Sequence, residues 1–477
     1  GGLPESLVQS YKAAADERKV AGWLVVNTRS AVDPFLTFGD ERSAREKVWR
    51  AFVERGNHGD KNDTNGLITE IVKLRAERAG LLGFASHAHW RMSDTMAKEP
   101  KAAEKLMMRV WPAAVARVKQ EVADMQKLAT KLGHKLTVEP WDYRFYMEKV
   151  RKERYDLDQN EFKQYFELEN MIQASYFMAG KLYGYAFEEV SGTLPVFHPD
   201  VRVYRVTRKS DKSHVGYLYR DDFARTHKSS GAWQATYREQ QKVDGKVFPI
   251  VSNNNNFTKG GKGQPVLISL DDARTLFHEF GHALHALSND TTYPSLTNTP
   301  RDFVEFPSQV HENWVLTREI LDTYALHYQT KEKMPQALID KMRKASTFNQ
   351  GFSTVEYLSA ALVDMKLHTD PKGAVDPKAF EASTLKALGM PKEIVMRHRM
   401  PHFQHLFTSD AYSAGYYSYL WSDVMAADAW KAFEDTKDPF NPDVAKKFKD
   451  LILANGDAID RAEDRERFGE RIHLAAE

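Results

Sequence analysis

The chain has 477 residues, 42% hydrophobic and 28% charged, the balance of an ordinary globular protein with a large core. Its 67 basic and 66 acidic residues leave a net charge of +1, no electrostatic case for a nucleic-acid or membrane-surface partner. With no cysteine and no apolar run near the ~20 residues of a spanning helix, disulfides, thiolate metal sites, a cysteine nucleophile and a transmembrane segment are excluded.

Residues 1–190 read as a mostly helical segment. Stretches 41–56 (ERSAREKVWRAFVERG) and 101–132 repeat apolar residues at helical spacing and carry charges on the opposite face. A short β region follows. Residues 201–207 (VRVYRVT) and 215–219 (VGYLY) alternate around a turn at 211–213, and 248–252 (FPIVS) adds a third strand. Asn253–Asn256 and 258–265 (TKGGKGQP) then read as a polar, glycine-rich loop. The order GxxxxGK[ST] is missing from it, so a hairpin tip suits it better than a phosphate site. From 301 onward helices return, broken near 371–377, 389–391 and 437–442.

The chemistry concentrates at His278-Glu279-Phe280-Gly281-His282, inside the amphipathic stretch 270–287 (LDDARTLFHEFGHALHAL). Ser269 and Asp272 make a capping-box variant ahead of Leu270, Ala273, Leu276, Phe277 and Leu284 at helical spacing. Two histidines four apart share a helix face and can reach one ion, with Glu279 beside it as a base for a metal-activated water. Gly281 costs about 1 kcal/mol against Ala in a helix interior, so a close approach of backbone or substrate is expected there. His285 at i+3 reads as core or as a support to a ligand.

A third ligand is needed. Positions 285 and 288 hold His and Ser, which rules out the metzincin arrangement of Gly followed by His. The segment 298–316 (NTPRDFVEFPSQVHENWVL) offers a second helix, with Thr299 as N-cap and Pro300 at its first position. Glu305, between Val304 and Phe306, is a carboxylate in an apolar setting, where a charge is paired or metal-bound. Pro307 is expected to kink this helix. Asp302 in the first turn suits a dipole role, and Glu312 suits a hydrogen bond to a ligand histidine. Glu305 is therefore the expected third ligand. Residues 402–421 (HFQHLFTSDAYSAGYYSYLW) hold two histidines and four tyrosines; Tyr416, Tyr417 and Trp421 read as core.

HEFGH, NTPRDFVEFPSQ, LSAALVDMKLH (358–368) and YYSYLWSD (416–423) together resemble the thimet-oligopeptidase family of zinc peptidases, above all its peptidyl-dipeptidase branch. LLGFASHA (81–88), PWDYRFY (140–146), HPDVR (198–202) and residues 219–233 fit the same blocks in the same order. The resemblance implies a mainly α protein of two lobes flanking a deep channel, with one Zn²⁺ on its floor. By domains it implies a helical part, 1–190, followed by a zinc catalytic region, 191–477, with a small sheet beside the metal helix. It implies His278, His282 and Glu305 as metal ligands, Glu279 as general base, and Tyr419, Tyr412 and His405 as oxyanion donors. One departure stands out. Family members have a run of glycines before the loop tyrosine, where this chain has Thr408-Ser409-Asp410-Ala411, so a stiffer loop is expected.

Release of C-terminal dipeptides requires a reader for the substrate's free carboxylate, for which Arg301 and Arg399 are candidates. Asn256 and Phe257, taken as an edge segment ahead of the metal helix, are expected to line the channel. Short unfolded peptides are the expected substrates. An endo-acting oligopeptidase of the same family is the alternative reading, and a non-catalytic zinc or peptide-binding protein a more distant one. The start, GGLPESL, is neither an initiator nor a signal peptide, and the family carries a helical segment ahead of this point. A processed or truncated chain is expected, with that segment as a separate partner, in a soluble cytoplasmic or periplasmic setting.

Overall fold

The computed structural model describes residues 1–261 and 263–459. Its backbone falls into two compact units, each assembled from separate stretches of chain. One comprises Gly1–Asn27, Ala31–Asp158 and Ala337–Trp421; the other comprises Thr28–Ser30, Gln159–Gln336 and Ser422–Glu477. Among the described residues no helix is long and apolar enough to cross a membrane.

The first unit is helical. Its longest helix, Pro100–Lys131, begins with proline at the first position, where a missing N–H costs nothing, and buries Ala103, Met107, Trp111, Val118 and Met125. That stripe packs on the helix Gln350–Thr369, whose Val355, Leu358, Ala361, Leu362 and Met365 face it in one core. Tyr416 and Tyr417 close the same core and are buried, as expected. The helix breaks read from the sequence also appear: Gln350–Thr369 ends before Pro371, and the next helix, Pro377–Ala387, ends before Gly389.

The second unit holds a five-stranded sheet of β1 (Tyr185–Glu189), β2 (Arg202–Arg208), β3 (His214–Phe223), β4 (Trp233–Arg238) and β5 (Ile250–Phe257). The spatial order is β1-β2-β3-β5-β4. All pairs are antiparallel except β3 with β5, so the sheet is mixed. The expected strands are present and extended, whereas β1 and β4 have no counterpart in the sequence reading. β1 also falls inside the stretch 1–190 that reads as helical.

Asn253–Asn256 are the clearest correction. They lie in a strand and are buried, not in a loop. Asparagine is depleted in strands because its amide competes for backbone bonds. Here each side-chain amide donates elsewhere, to Glu279 O, Trp233 O, Asp222 Oδ1 and Ser229 O in turn. Strand order also bears on the edge expectation. β5 lies between β3 and β4, but β4 pairs with it only over 250–254, so Asn256 and Phe257 sit past the end of that pairing; β1 and β4 are the outer strands.

The Glu305 helix also begins later than expected. It spans Glu305–Glu312, with 301–304 in turn conformation. Pro307 therefore sits in the first turn, where its absent N–H is harmless, and starts the helix instead of kinking it. Helices continue through Ser418–Asp435 and Pro442–Phe448. The helical expectation for 460–477 lies outside the described residues.

Candidate metal centre

The HExxH helix spans Leu270–Ser288. Ser269 Oγ accepts from the Asp272 N–H at 3.0 Å, and Asp272 Oδ2 accepts from the Ser269 N–H at 3.0 Å, so the capping box is complete. Ala273, Leu276, Phe277, Phe280, Ala283 and Leu284 are buried, which fixes the helix's rotation and sets His278 and His282 on its half-covered side. Gly281 lies where a second backbone crosses. A Cβ there would stand 2.7 Å from Ser308 Cα and 3.1 Å from His311 Nδ1. The Glu305 helix can approach only because position 281 has no side chain.

That approach brings one carboxylate oxygen to both imidazoles. Glu305 Oε2 is 3.2 Å from His278 Nε2 and 3.1 Å from His282 Nε2. One donor atom from each of the three residues lies within 4.8 Å of the others. Ligand bonds of about 2.1 Å at tetrahedral angles put neighbouring donor atoms about 3.4 Å apart. The two measured edges fit that figure, so the residues suit a zinc-sized cation. Ordinary burial would push Glu305 up, yet the two histidines hold it well below the usual carboxylate range. Burial likewise opposes charge on His278, but hydrogen bonds to Glu305 and Glu312 outweigh it and raise its pKa well above 6.5. A carboxylate held ionised against two imidazoles in a buried setting calls for positive charge between them, which a bound metal ion would supply.

Neighbouring side chains orient this group. His278 Nδ1 donates to Glu312 Oε1 at 2.8 Å, which fixes the ring with Nε2 facing Glu305. His311 Nδ1 donates to the Pro307 carbonyl at 2.6 Å, so its Nε2 accepts from the Tyr183 hydroxyl at 2.7 Å. Burial lowers the His311 pKa to about 4, keeping it neutral beside the site. Neither Tyr183 nor His311 was legible as a support. Asn253 was hidden as well, since it sat in an apparent loop; its Nδ2 donates to the Glu279 carbonyl at 2.6 Å and ties β5 to the HExxH helix.

Glu279 is buried, and burial raises its pKa. Its Oε2 has no hydrogen-bond partner among the described residues. A buried carboxylate oxygen without a partner is costly, and a water held beside a metal would satisfy it. His285 is buried in the core. Asp302 is fully buried in the turn before the Glu305 helix, and Arg301 next to it is half-buried.

Asn256 and Phe257 have internal roles. Asn256 Nδ2 donates to the carbonyls of Ser229 and Gly231, both at 2.7 Å, and braces the loop that leads into β4. Phe257 is buried, and its carbonyl accepts from the Ala224 N–H.

His405, Tyr412, Tyr419 and Arg399 belong to the other unit. There the structure gathers the first three. The His405 ring lies 5.3 Å from that of Tyr412 and 6.4 Å from that of Tyr419, and the two tyrosines stack at 5.9 Å. Arg399 pairs with Glu381 at 2.8 Å and Glu54 at 3.1 Å.

In comparison with known families, residues 35–477 match Peptidase family M3. The chain belongs to peptidase family M3. It is accordingly a metallopeptidase, a hydrolase of peptide bonds. It is 39% identical over 468 residues to a dipeptidyl carboxypeptidase of Escherichia coli (strain K12), across 96% of this chain and 68% of that protein. It is 32% identical over 480 residues to an oligopeptidase A of Salmonella typhimurium, across 98% of this chain and 70% of that one. Among solved structures, PZ peptidase A with an inhibitor shares the fold, with a TM-score of 0.55 at 15% identity over 97% of this chain and 70% of that one.

Proposed function

We propose that this M3 peptidase is a zinc-dependent peptidyl-dipeptidase that removes C-terminal dipeptides from short, unfolded peptides. The observation that carries the metal chemistry is the single Glu305 oxygen shared by His278 and His282. Zinc held by these three residues would supply Lewis acidity to the scissile carbonyl and lower the pKa of a water in its fourth position. Glu279, with its unpartnered Oε2, takes the proton of the attacking water and passes it to the leaving amine. Tyr419, aided by Tyr412 and His405, donates hydrogen bonds to the oxyanion. β4, paired on one side only, offers its outer backbone groups to an extended peptide. Arg301 and Arg399 are the candidates for the terminal carboxylate; Arg399 would have to exchange Glu54 or Glu381 for it.

Dipeptide release is favoured by the 39% identity to a dipeptidyl carboxypeptidase. Endo-acting cleavage is the second reading, and the 32% identity to an oligopeptidase A favours it. The two separate on one substrate pair. A peptide with a free C-terminus should lose dipeptides stepwise in a chelator-sensitive reaction read by product mass. Its C-terminal amide should be cut at least about 10-fold more slowly, the worth of one lost charge-assisted hydrogen bond. Equal cleavage of both, at internal bonds, would establish endopeptidase action instead.

A further inference from the structure

The segment 405–419 carries His405, Tyr412 and Tyr419, and a buried polar network reaches into it from three helices of the same unit. Asp364, on Gln350–Thr369, is fully buried. Its Oδ1 accepts from the Ala414 N–H and its Oδ2 from the Tyr416 N–H, each at 2.9 Å. Oδ1 also accepts from His368 Nδ1 at 2.8 Å, so His368 Nε2 is left to accept from Arg75 Nη1 at 3.2 Å. Arg75, on the helix Asn65–Leu81, is buried and donates through Nη2 to the carbonyls of Leu406 at 2.7 Å and Ser409 at 3.0 Å. Its Nε meets Asp410 Oδ1 at 2.9 Å, while Arg78 Nη2 holds Asp410 Oδ2 at 2.7 Å. His87 Nε2 lies 2.8 Å from Ser413 Oγ.

These bonds converge on residues 406, 409, 410, 413, 414 and 416, on both sides of Tyr412. Ala414 also holds φ at +55°, a left-handed conformation that strains a residue with a Cβ and persists only where the surroundings impose it. Burying a carboxylate and a guanidinium is an expensive way to anchor a loop, and apolar packing would hold the fold as well or better. The network's distinctive property is that it fixes backbone direction. We propose that Asp364, with Arg75 and Asp410, is a positioning residue that presets the Tyr412 loop for the reaction. Where a glycine run would leave this loop free, Asp410 supplies an anchor. The inference rests on the reading of Tyr412 as an oxyanion donor.

The test is a double-mutant cycle of Asp364→Asn with Tyr412→Phe, following kcat, KM and Tm. An asparagine keeps the shape but cannot accept from both N–H groups. Asp364→Asn alone should lower kcat about 10- to 100-fold, the cost of misplacing a reacting group by about 1 Å, with KM within about threefold. In the Tyr412→Phe background the same change should have little effect on kcat. Multiplicative losses would mean that the network serves the fold alone and would overturn the inference. A Tyr412→Phe enzyme with unchanged kcat would instead sink the oxyanion reading, and the inference with it. Asp410→Asn, at a partly exposed position, gives the same cycle should Asp364→Asn fail to fold.

Discussion

The chemistry rests on a division of labour between adjacent residues. His278 points its ring at Glu305, and Glu279, one position on, keeps a carboxylate oxygen unpartnered in a buried setting. If Glu279 moves the proton, removing its charge should stop turnover without disturbing the three donor atoms beside it. Glu279→Gln should therefore retain metal at the wild-type stoichiometry while kcat falls about 10²- to 10⁴-fold, the usual worth of a general base. Metal analysis and initial rates on the same preparation measure both. A glutamine variant that turns over at near wild-type rate would remove Glu279 from the mechanism.

Between elements, the decisive contact is the crossing of the HExxH helix by the Glu305 helix at Gly281. Alanine there would gain about 1 kcal/mol of helix propensity. It would also drive a Cβ to 2.7 Å from Ser308 Cα, a backbone atom that cannot turn away. Overpacking costs about 1–3 kcal/mol and should win. Gly281→Ala should lower stability by about 1–2 kcal/mol in denaturant unfolding and loosen metal retention by moving Glu305 off the histidines; a more stable variant would refute the crossing. The glycine's anomaly was visible in the sequence because propensity marks it as a cost. The capping box and apolar stripe of the same helix were equally visible, since their signals are local. β4 and the Asn253–Asn256 strand were not. The four asparagines are polar throughout, and what makes them a strand is pairing with β3 and β4, which no local pattern records; β4 (WQATYR) does alternate, but over only six residues. The late start of the Glu305 helix escaped for a similar reason: Thr299 and Pro300 are good start signals, but Pro307 offers a competing one.

For the whole chain, acid and metal should act on stability through different buried groups. The unit with Gln350–Thr369 holds His87, buried, and His402, half-buried, as neutral rings. Burial foremost, then neighbouring positive charge, lowers their pKa values to about 2 and about 3. Both lie far below the ~6.5 of an unfolded histidine. Below that value the unfolded state binds protons that the folded rings refuse, so stability is lost as pH falls and continues to fall toward the folded pKa values. Each ring should cost about 1.4 kcal/mol per pH unit once pH is well below 6.5. The other unit holds the metal ligands, and a ligand that binds only the folded state stabilises by mass action. Chelated protein should accordingly show a stability that drops between pH 7 and pH 5, measured by denaturant unfolding. His402→Gln should flatten that slope by about one proton's worth, while zinc added back at pH 7 should raise the unfolding midpoint, and less so at pH 5, where protons compete for the ligand histidines. A pH slope that His402→Gln leaves untouched would mean that the ring is protonated in the folded protein, against its burial beside Arg55 and Arg399.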